Sequence, residues 1–167
     1  MKKIVIFISV VFCSVFALRA QCPIEVGQMQ INAGFGLSNY GVPVYAGLDY
    51  GLQPDITLGG EVSFRNYKEN FFGTNYGHSI YGFSINGNYH FNTIIGIPDN
   101  YDFYAGANIG FVVWKSPSKY GGNQTSGLGL GLQVGGRYYF NEKFGLQLEL
   151  GGGNRFGDGK FGISIRL

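Results

Sequence analysis

The pattern that most limits this chain is a strict alternation of apolar with polar or very small residues, repeated in eight separate stretches. In the stretch 29–37, Met29, Ile31, Ala33, Phe35 and Leu37 fall on one side, opposite Gln30, Asn32, Gly34 and Gly36. Successive side chains of an extended strand point to opposite faces, so a period of two describes a strand with one apolar and one polar face. The stretches 44–50, 56–65, 81–91, 103–113, 128–140, 144–150 and 161–167 read the same way, and clusters of Gly, Asn, Asp, Pro and Ser separate them. No helical period competes after residue 22.

The apolar face decides where such strands can reside. It carries no Asp, Glu, Lys or Arg in any of the eight stretches, as expected of a lipid face, where a charge near the bilayer centre costs about 2–4 kcal/mol. With the faces reversed, the surface would be mostly Gly, Asn, Gln and Ser, a poor shell for a soluble carrier with an apolar interior. Charged residues are only 13% of the chain, about half the usual share in soluble domains. Beyond the first twenty residues nothing is apolar for the ~20 consecutive positions a spanning helix needs. Tyr50, Tyr89, Phe91, Tyr101, Phe103, Tyr138, Phe140 and Phe144 gather near strand ends on one side, as an interfacial belt would.

The fold these observations imply is all-β, an eight-stranded antiparallel up-and-down transmembrane β-barrel. An even strand count puts both ends of the barrel on one side. The connections 66–78 and 115–126 then read as longer external loops, and 53–55 and 141–143 as short periplasmic turns. The connection 92–102 is long for a turn on that side.

Lys2 and Lys3 precede the apolar run 4–18, and Arg19-Ala20-Gln21 follows, which is the layout of a secretory signal. The expected organisation is a signal peptide at 1–20 and an outer-membrane barrel domain at 21–167. Of the 12 basic residues, Lys2, Lys3 and Arg19 belong to the signal, leaving nine against 10 acidic ones. The chain therefore has no basic footprint for nucleic acid. Cys22 stands alone after the signal, so neither an internal disulfide nor a cysteine metal site is available to the barrel.

The polar face becomes the lumen. It offers Asp49, Glu61 and Glu149 as acids and Arg65, Arg137 and Arg166 as bases. Eight strands leave an interior just wide enough for side chains, and unpaired charges there are costly. These six are expected to form a lumen charge network packed among Tyr45, Tyr104, Asn86, Asn88, Gln133 and Gln147, not an open pore. No catalytic residue, cofactor or metal is expected. His78 reads as part of the second external loop and His90 as a lumen residue near the periplasmic end. Ser79 points away from its neighbour His78, so the two do not make a hydrolase pair. The alternating glycines 127, 129 and 131 make room inside the barrel; a phosphate loop would need a following helix. Trp114, Tyr67, Phe71, Phe72, Tyr76 and Tyr120 read as an outer interfacial rim.

The stretch PVYAGLDYGLQPDITLGGEVSFRNY, residues 43–67, is a strand–turn–strand unit that resembles the outer membrane protein β-barrel domain family, small eight-stranded barrels similar to outer membrane protein X. The likeness extends over nearly all of 28–167. Lys160, Gly162, Ile165 and Leu167 resemble the C-terminal assembly signal of such barrels, with Leu where a final Phe is commoner. The resemblance implies residence in the outer membrane of a Gram-negative bacterium. The implied partners are outer-membrane lipids, the outer-membrane insertion machinery during assembly, and a surface ligand held by the external loops. It brings no catalytic residues, so the expectation is a non-enzymatic protein; the alternatives are a lipid-modifying enzyme and a narrow channel.

Overall fold

The computed structural model describes residues 24–122, 125–156 and 159–167; the signal at 1–20 and Cys22 lie outside them. A strand with one apolar and one polar face leaves unpaired backbone groups along both edges unless its sheet closes. Here it closes. Strands β1 (Met29–Leu37), β2 (Val44–Gln53), β3 (Ile56–Phe71), β4 (Thr74–His90), β5 (Tyr101–Lys115), β6 (Gly127–Tyr139), β7 (Phe144–Gly153) and β8 (Gly159–Arg166) form one closed barrel in sequence order. Each pairs antiparallel with the next, and β8 returns to β1 in a register running from Gln30 opposite Arg166 to Leu37 opposite Gly159.

The barrel is inside out relative to a soluble domain. Among the described residues, fourteen polar or charged side chains are buried against six hydrophobic ones. Outward residues stay open: Leu132 is 69% exposed and Ile85 58%, whereas Gln30, Thr57 and His90 are 0% exposed. The outward apolar rows run from Ile56 to Phe64 on β3 and from Tyr89 to Tyr81 on β4, about the 9–11 residues with which a tilted strand crosses hydrocarbon. At the lower edge lie the paired rings Tyr89–Phe91, Tyr101–Tyr138 and Tyr138–Phe140, with centroids 5.1–5.4 Å apart. Phe64 and Tyr81, 5.1 Å apart, mark the upper edge. Between these aromatic levels no Asp, Glu, Lys or Arg occupies an outward strand position among the described residues.

Two expectations change. The segment 66–78 is not a loop: β3 and β4 stay paired from Ile56–Tyr89 out to Phe71–Thr74. Their neighbours stop earlier, β2 at Val44–Phe64 and β5 at Ser79–Lys115, so a two-stranded ribbon projects about 20 Å beyond the wall at the ~3.3 Å rise of a strand. The ladder continues because Tyr67, Glu69, Phe71, Tyr76 and His78 keep alternating inward. Outside the lipid the outward positions turn to Asn66, Lys68 and Asn70, so the apolar contrast that marks a strand in sequence disappears. The ribbon ends in a two-residue turn with positive φ at Phe72 (49°) and Gly73 (77°), the left-handed pair that suits the strand twist. The second change is one helical turn, α1 (Asn92–Ile95), inside the 92–102 connection. It is too short to show a helical period. Asn92 anchors it, its Nδ2 donating to the Tyr101 carbonyl at 2.5 Å and its Oδ1 accepting from the Phe103 amide at 3.2 Å.

The same end of the barrel is covered by the segment before β1. Ile24 is 1% exposed. The turn behind it is fixed by a Gln28 amide bond to the Glu25 carbonyl and a Gly27 amide bond to the Gly51 carbonyl. A side chain at Gly51 would meet the Glu25 carbonyl oxygen at 2.0 Å, so glycine there lets the segment lie across the mouth.

The inside-out arrangement predicts an unusual mutational response. Leu132→Arg changes an exposed residue, which in a soluble domain is close to neutral; here it is expected to lower unfolding free energy by about 2–4 kcal/mol, measured by urea unfolding of the protein refolded in lipid vesicles.

Candidate functional site

The lumen concentrates the polar chemistry of the molecule and is organised around Arg137. Its position on β6 puts the guanidinium between two strands' carboxylates: NH2 donates to Asp49 Oδ2 at 2.7 Å and NH1 to Asp102 Oδ2 at 2.9 Å. All three side chains are at most 3% exposed. The Tyr104 ring lies under the same guanidinium, 4.4 Å away. Asp102 also holds His90, whose Nδ1 is 2.7 Å from Oδ1, while His90 Nε2 lies 3.0 Å from Thr57 Oγ1. Asn32 donates to Asp49 at 2.8 Å and accepts from Gln30 and from Ser164, each at 2.8 Å. Removing charges from water costs several kcal/mol per ion unless geometry and hydrogen bonds compensate. Both terminal nitrogens of Arg137 are compensated in this way, and Asn32 and His90 add bonds to its two acids, while its buried Nε has no hydrogen-bond partner among the described residues.

Further up, Lys160 of β8 reaches across the barrel. Its Nζ bonds both Glu61 oxygens at 2.8 Å and lies 3.1 Å from Glu149 Oε1. Glu149 accepts from the Tyr104 hydroxyl at 2.7 Å, which accepts from Gln147 at 2.9 Å, and Gln147 Oε1 lies 3.2 Å from Ser164 Oγ, whose single proton it shares with Asn32. The Lys160 and Arg137 clusters thereby join into one hydrogen-bonded column. Gln133 donates to Asn88 at 2.7 Å and accepts from Asn108. The column fits because selected wall positions have no side chain. A Cβ at Gly135 would lie 2.3 Å from the Tyr104 ring, and one at Gly129 would lie 2.4 Å from the Phe156 ring. Phe156 belongs to the β7–β8 connection and folds inward over the alternating glycines of β6. Beneath it remains a cavity of about 40 Å³, lined among others by Tyr45, Glu61, Asn108, Gln133 and Lys160, room for roughly three waters.

The external end is capped by rings. Tyr67, Trp114 and Tyr120 surround His78 at centroid distances of 6.0, 5.9 and 4.6 Å, and Tyr40 packs on Tyr67 and Trp114. His78 is 1% exposed; its Nδ1 lies 2.9 Å from Ser116 Oγ and its Nε2 is 3.7 Å from Glu69. The sequence reading of His78 as a loop residue is corrected, since β4 carries it inward. Ser79 does face the other way and donates to Asn66 at 3.2 Å.

Of the six residues expected to form one charge network, Asp49 and Arg137 meet directly, and Glu61 and Glu149 meet through Lys160. Among the described residues Arg166 meets none of those three acids. Arg65 donates to Ser38 Oγ at 3.0 Å near the external end. Arg166 lies 3.4 Å over the Tyr139 ring and bonds the Glu142 and Asp99 carbonyls. Sequence reasoning missed Asp102, which had been assigned to a turn, and Lys160, set apart as an assembly residue. Parity held the signal in both cases: Asp102 shares a face with Tyr104, and Lys160 with Gly162 and Ser164. Gly162 packs against the Ala33 carbonyl, where a Cβ would lie at 2.3 Å. Ile165 pairs across to Ile31, and the Leu167 amide donates to the Met29 carbonyl at 2.9 Å.

No family model and no curated protein matches this sequence. Solved structures do. The outer membrane protein OprG from Pseudomonas aeruginosa is similar with a TM-score of 0.67 at 9% identity, over 87% of this chain and 99% of that one. The N-terminal β-barrel domain of Pseudomonas aeruginosa OprF gives 0.58 at 18% identity, over 85% and 98%. Neisserial surface protein A gives 0.59 at 14% identity, over 84% and 95%. At these identities the likeness concerns the fold, and it bears out the expected architecture: the chain has the fold of the small outer-membrane barrels.

The geometry at Arg137 predicts a strong asymmetry between single and compound variants. Arg137→Met leaves two buried carboxylates without their cation and is expected to cost about 3–5 kcal/mol. Adding Asp49→Asn and Asp102→Asn recovers most of that loss. Urea unfolding in vesicles of the three proteins side by side measures both effects.

Proposed function

We propose that this chain is an integral barrel of a Gram-negative outer membrane, with a filled lumen that conducts no solute, acting without catalysis through its external end. One observation carries the membrane part: an uninterrupted outward apolar band, bounded by two aromatic levels, around an interior of buried charges. A protein surrounded by water would gain nothing from that distribution. In hydrocarbon it is the favoured one, since lipid has no hydrogen bond to offer the polar groups.

The non-conducting part rests on the lumen. The Arg137 and Lys160 clusters span it, Phe156 and the aromatic cap lie above, and Ile24 lies below. A cavity of about 40 Å³ holds water but no solute. The projecting β3–β4 ribbon and the β5–β6 connection supply the surface available to external partners. Export through residues 1–20 and recognition of Lys160, Gly162, Ile165 and Leu167 by the insertion machinery complete the proposed route to the membrane.

A second reading, a lipid-modifying hydrolase, has one specific observation in its favour: Ser116, His78 and Glu69 follow one another at 2.9 and 3.7 Å. A serine nucleophile needs its base oriented by a hydrogen bond. The 3.7 Å separation exceeds that reach, and the Tyr120 hydroxyl occupies Glu69 at 2.7 Å.

Refolded protein is expected to migrate faster unboiled than boiled on a gel, to give no discrete conductance steps in a planar bilayer, and to release no fatty acid from phospholipid or lipid A. Reproducible conductance would favour the channel. Hydrolysis abolished by Ser116→Ala would establish the second reading.

A further inference from the structure

The projecting ribbon separates charge between its two faces. Its acid, Glu69, faces inward to Tyr120 and His78. Its outward face, above the Phe64–Tyr81 level, presents Asn66, Lys68 and Asn70 on β3, Asn75, Gly77 and Ser79 on β4, and Lys115 on β5. No acid stands among them. Lys68 and Lys115 are exposed, and among the described residues neither pairs with a carboxylate. Lys115 Nζ lies 5.4 Å from the centre of the Tyr81 ring, at the upper edge of the apolar band, with its stem along that band and its charge just above it.

The register spaces the two lysines. Lys68 stands opposite Gly77 and Lys115 opposite Ser79, so they flank β4 on either side. Strand separation of ~4.8 Å and a two-residue offset put their Cα atoms roughly 12 Å apart. Two lysine side chains can close on a group between them across that distance. The space is open there, since a Cβ at Gly77 would meet nothing within 4 Å. The opposite end of the barrel differs: its connections carry Asp55, Asp99 and Glu142 beside Lys143.

We propose that this outward notch, with Lys68 and Lys115 as its cations and Gly77 as its floor, binds the anionic phosphate headgroup of a lipid in the leaflet around the external end. The inference rests on the membrane reading, which sets these residues at headgroup height. Charge complementarity selects the occupant: a cationic notch without an acid, at the edge of an apolar surface, matches an anionic phosphate attached to acyl chains. Held there, the lipid ties β3, β4 and β5 together where β5 leaves the sheet.

The test uses the full barrel refolded in micelles, with lipid A and phosphatidylcholine as probes and bound lipid counted by native mass spectrometry. Wild-type protein is expected to retain lipid A in preference to phosphatidylcholine, less so as salt is raised. Lys68→Gln/Lys115→Gln is expected to weaken lipid A binding roughly thirty-fold, at the usual contribution of a lysine near a charged membrane surface. Lys143→Gln, which removes a cation at the other end, is expected to match wild type. The gel shift on boiling shows that each variant is folded. Equal lipid A binding by wild type and the double variant, or no preference over phosphatidylcholine, would overturn the proposal. Failure of the wild type to enter phosphatidylcholine vesicles at all would overturn the membrane reading, and this proposal with it.

Discussion

Hydrocarbon offers no hydrogen bond to a backbone amide or carbonyl, and the whole structure follows from satisfying every such group within the chain. Each strand exchanges its ladder with two neighbours, and the β1–β8 seam, from Gln30–Arg166 to Leu37–Gly159, leaves no edge. Closure then dictates the rest. Side chains alternate between lipid and lumen, so the residues that would form the core of a soluble domain are turned outward. The polar ones are forced into an enclosed space too narrow for bulk water.

That enclosed space creates an electrostatic problem, and the sequence meets it with cross-barrel contacts. Arg137 serves Asp49 and Asp102 together; Lys160 serves Glu61 and Glu149 together. Tyr104, Gln147 and Ser164 join the two sets. Each cation bonds one acid on the neighbouring strand, Asp102 or Glu149, and one across the barrel, Asp49 or Glu61, so the second pair of contacts also braces opposite walls. Glycines at 129 and 135 belong to the same solution. They leave volume in the wall where Phe156 and Tyr104 must lie, so the interior is filled by a few large side chains and not by a uniform lining.

Strand existence, face and sense were legible in the sequence because lipid enforces contrast: inside the band, an outward residue is apolar without exception. Legibility stopped where the lipid stops. On β3 and β4 the outward positions beyond Phe64 and Tyr81 become Asn, Lys and Ser, and the ribbon read as a loop although its backbone pairing continues to Phe71–Thr74. The single helical turn at Asn92–Ile95 was hidden by its brevity. In the lumen, alternation told which residues face inward but not which meet. Some partners lie on neighbouring strands, as Asp102 and Arg137 do, but others lie on distant ones, as with Lys160 and Glu61, and only the closed geometry brings these together. Arg166 shows the converse: it faces inward, yet Tyr139 and two carbonyls hold it in place of an acid.

The central claim is that the apolar rows face lipid and the alternate rows do not. Cross-relaxation by NMR between acyl-chain protons and side-chain methyl groups tests it without altering the protein. Refolded in bilayer nanodiscs, the chain should show acyl-chain contacts at Ile85, Ile109, Leu130, Leu132, Leu148 and Ile163, and none at Ile24, Ile80 or Val112, which are at most 2% exposed and face the interior. Contacts at the second set, or their absence from the first, would contradict the account.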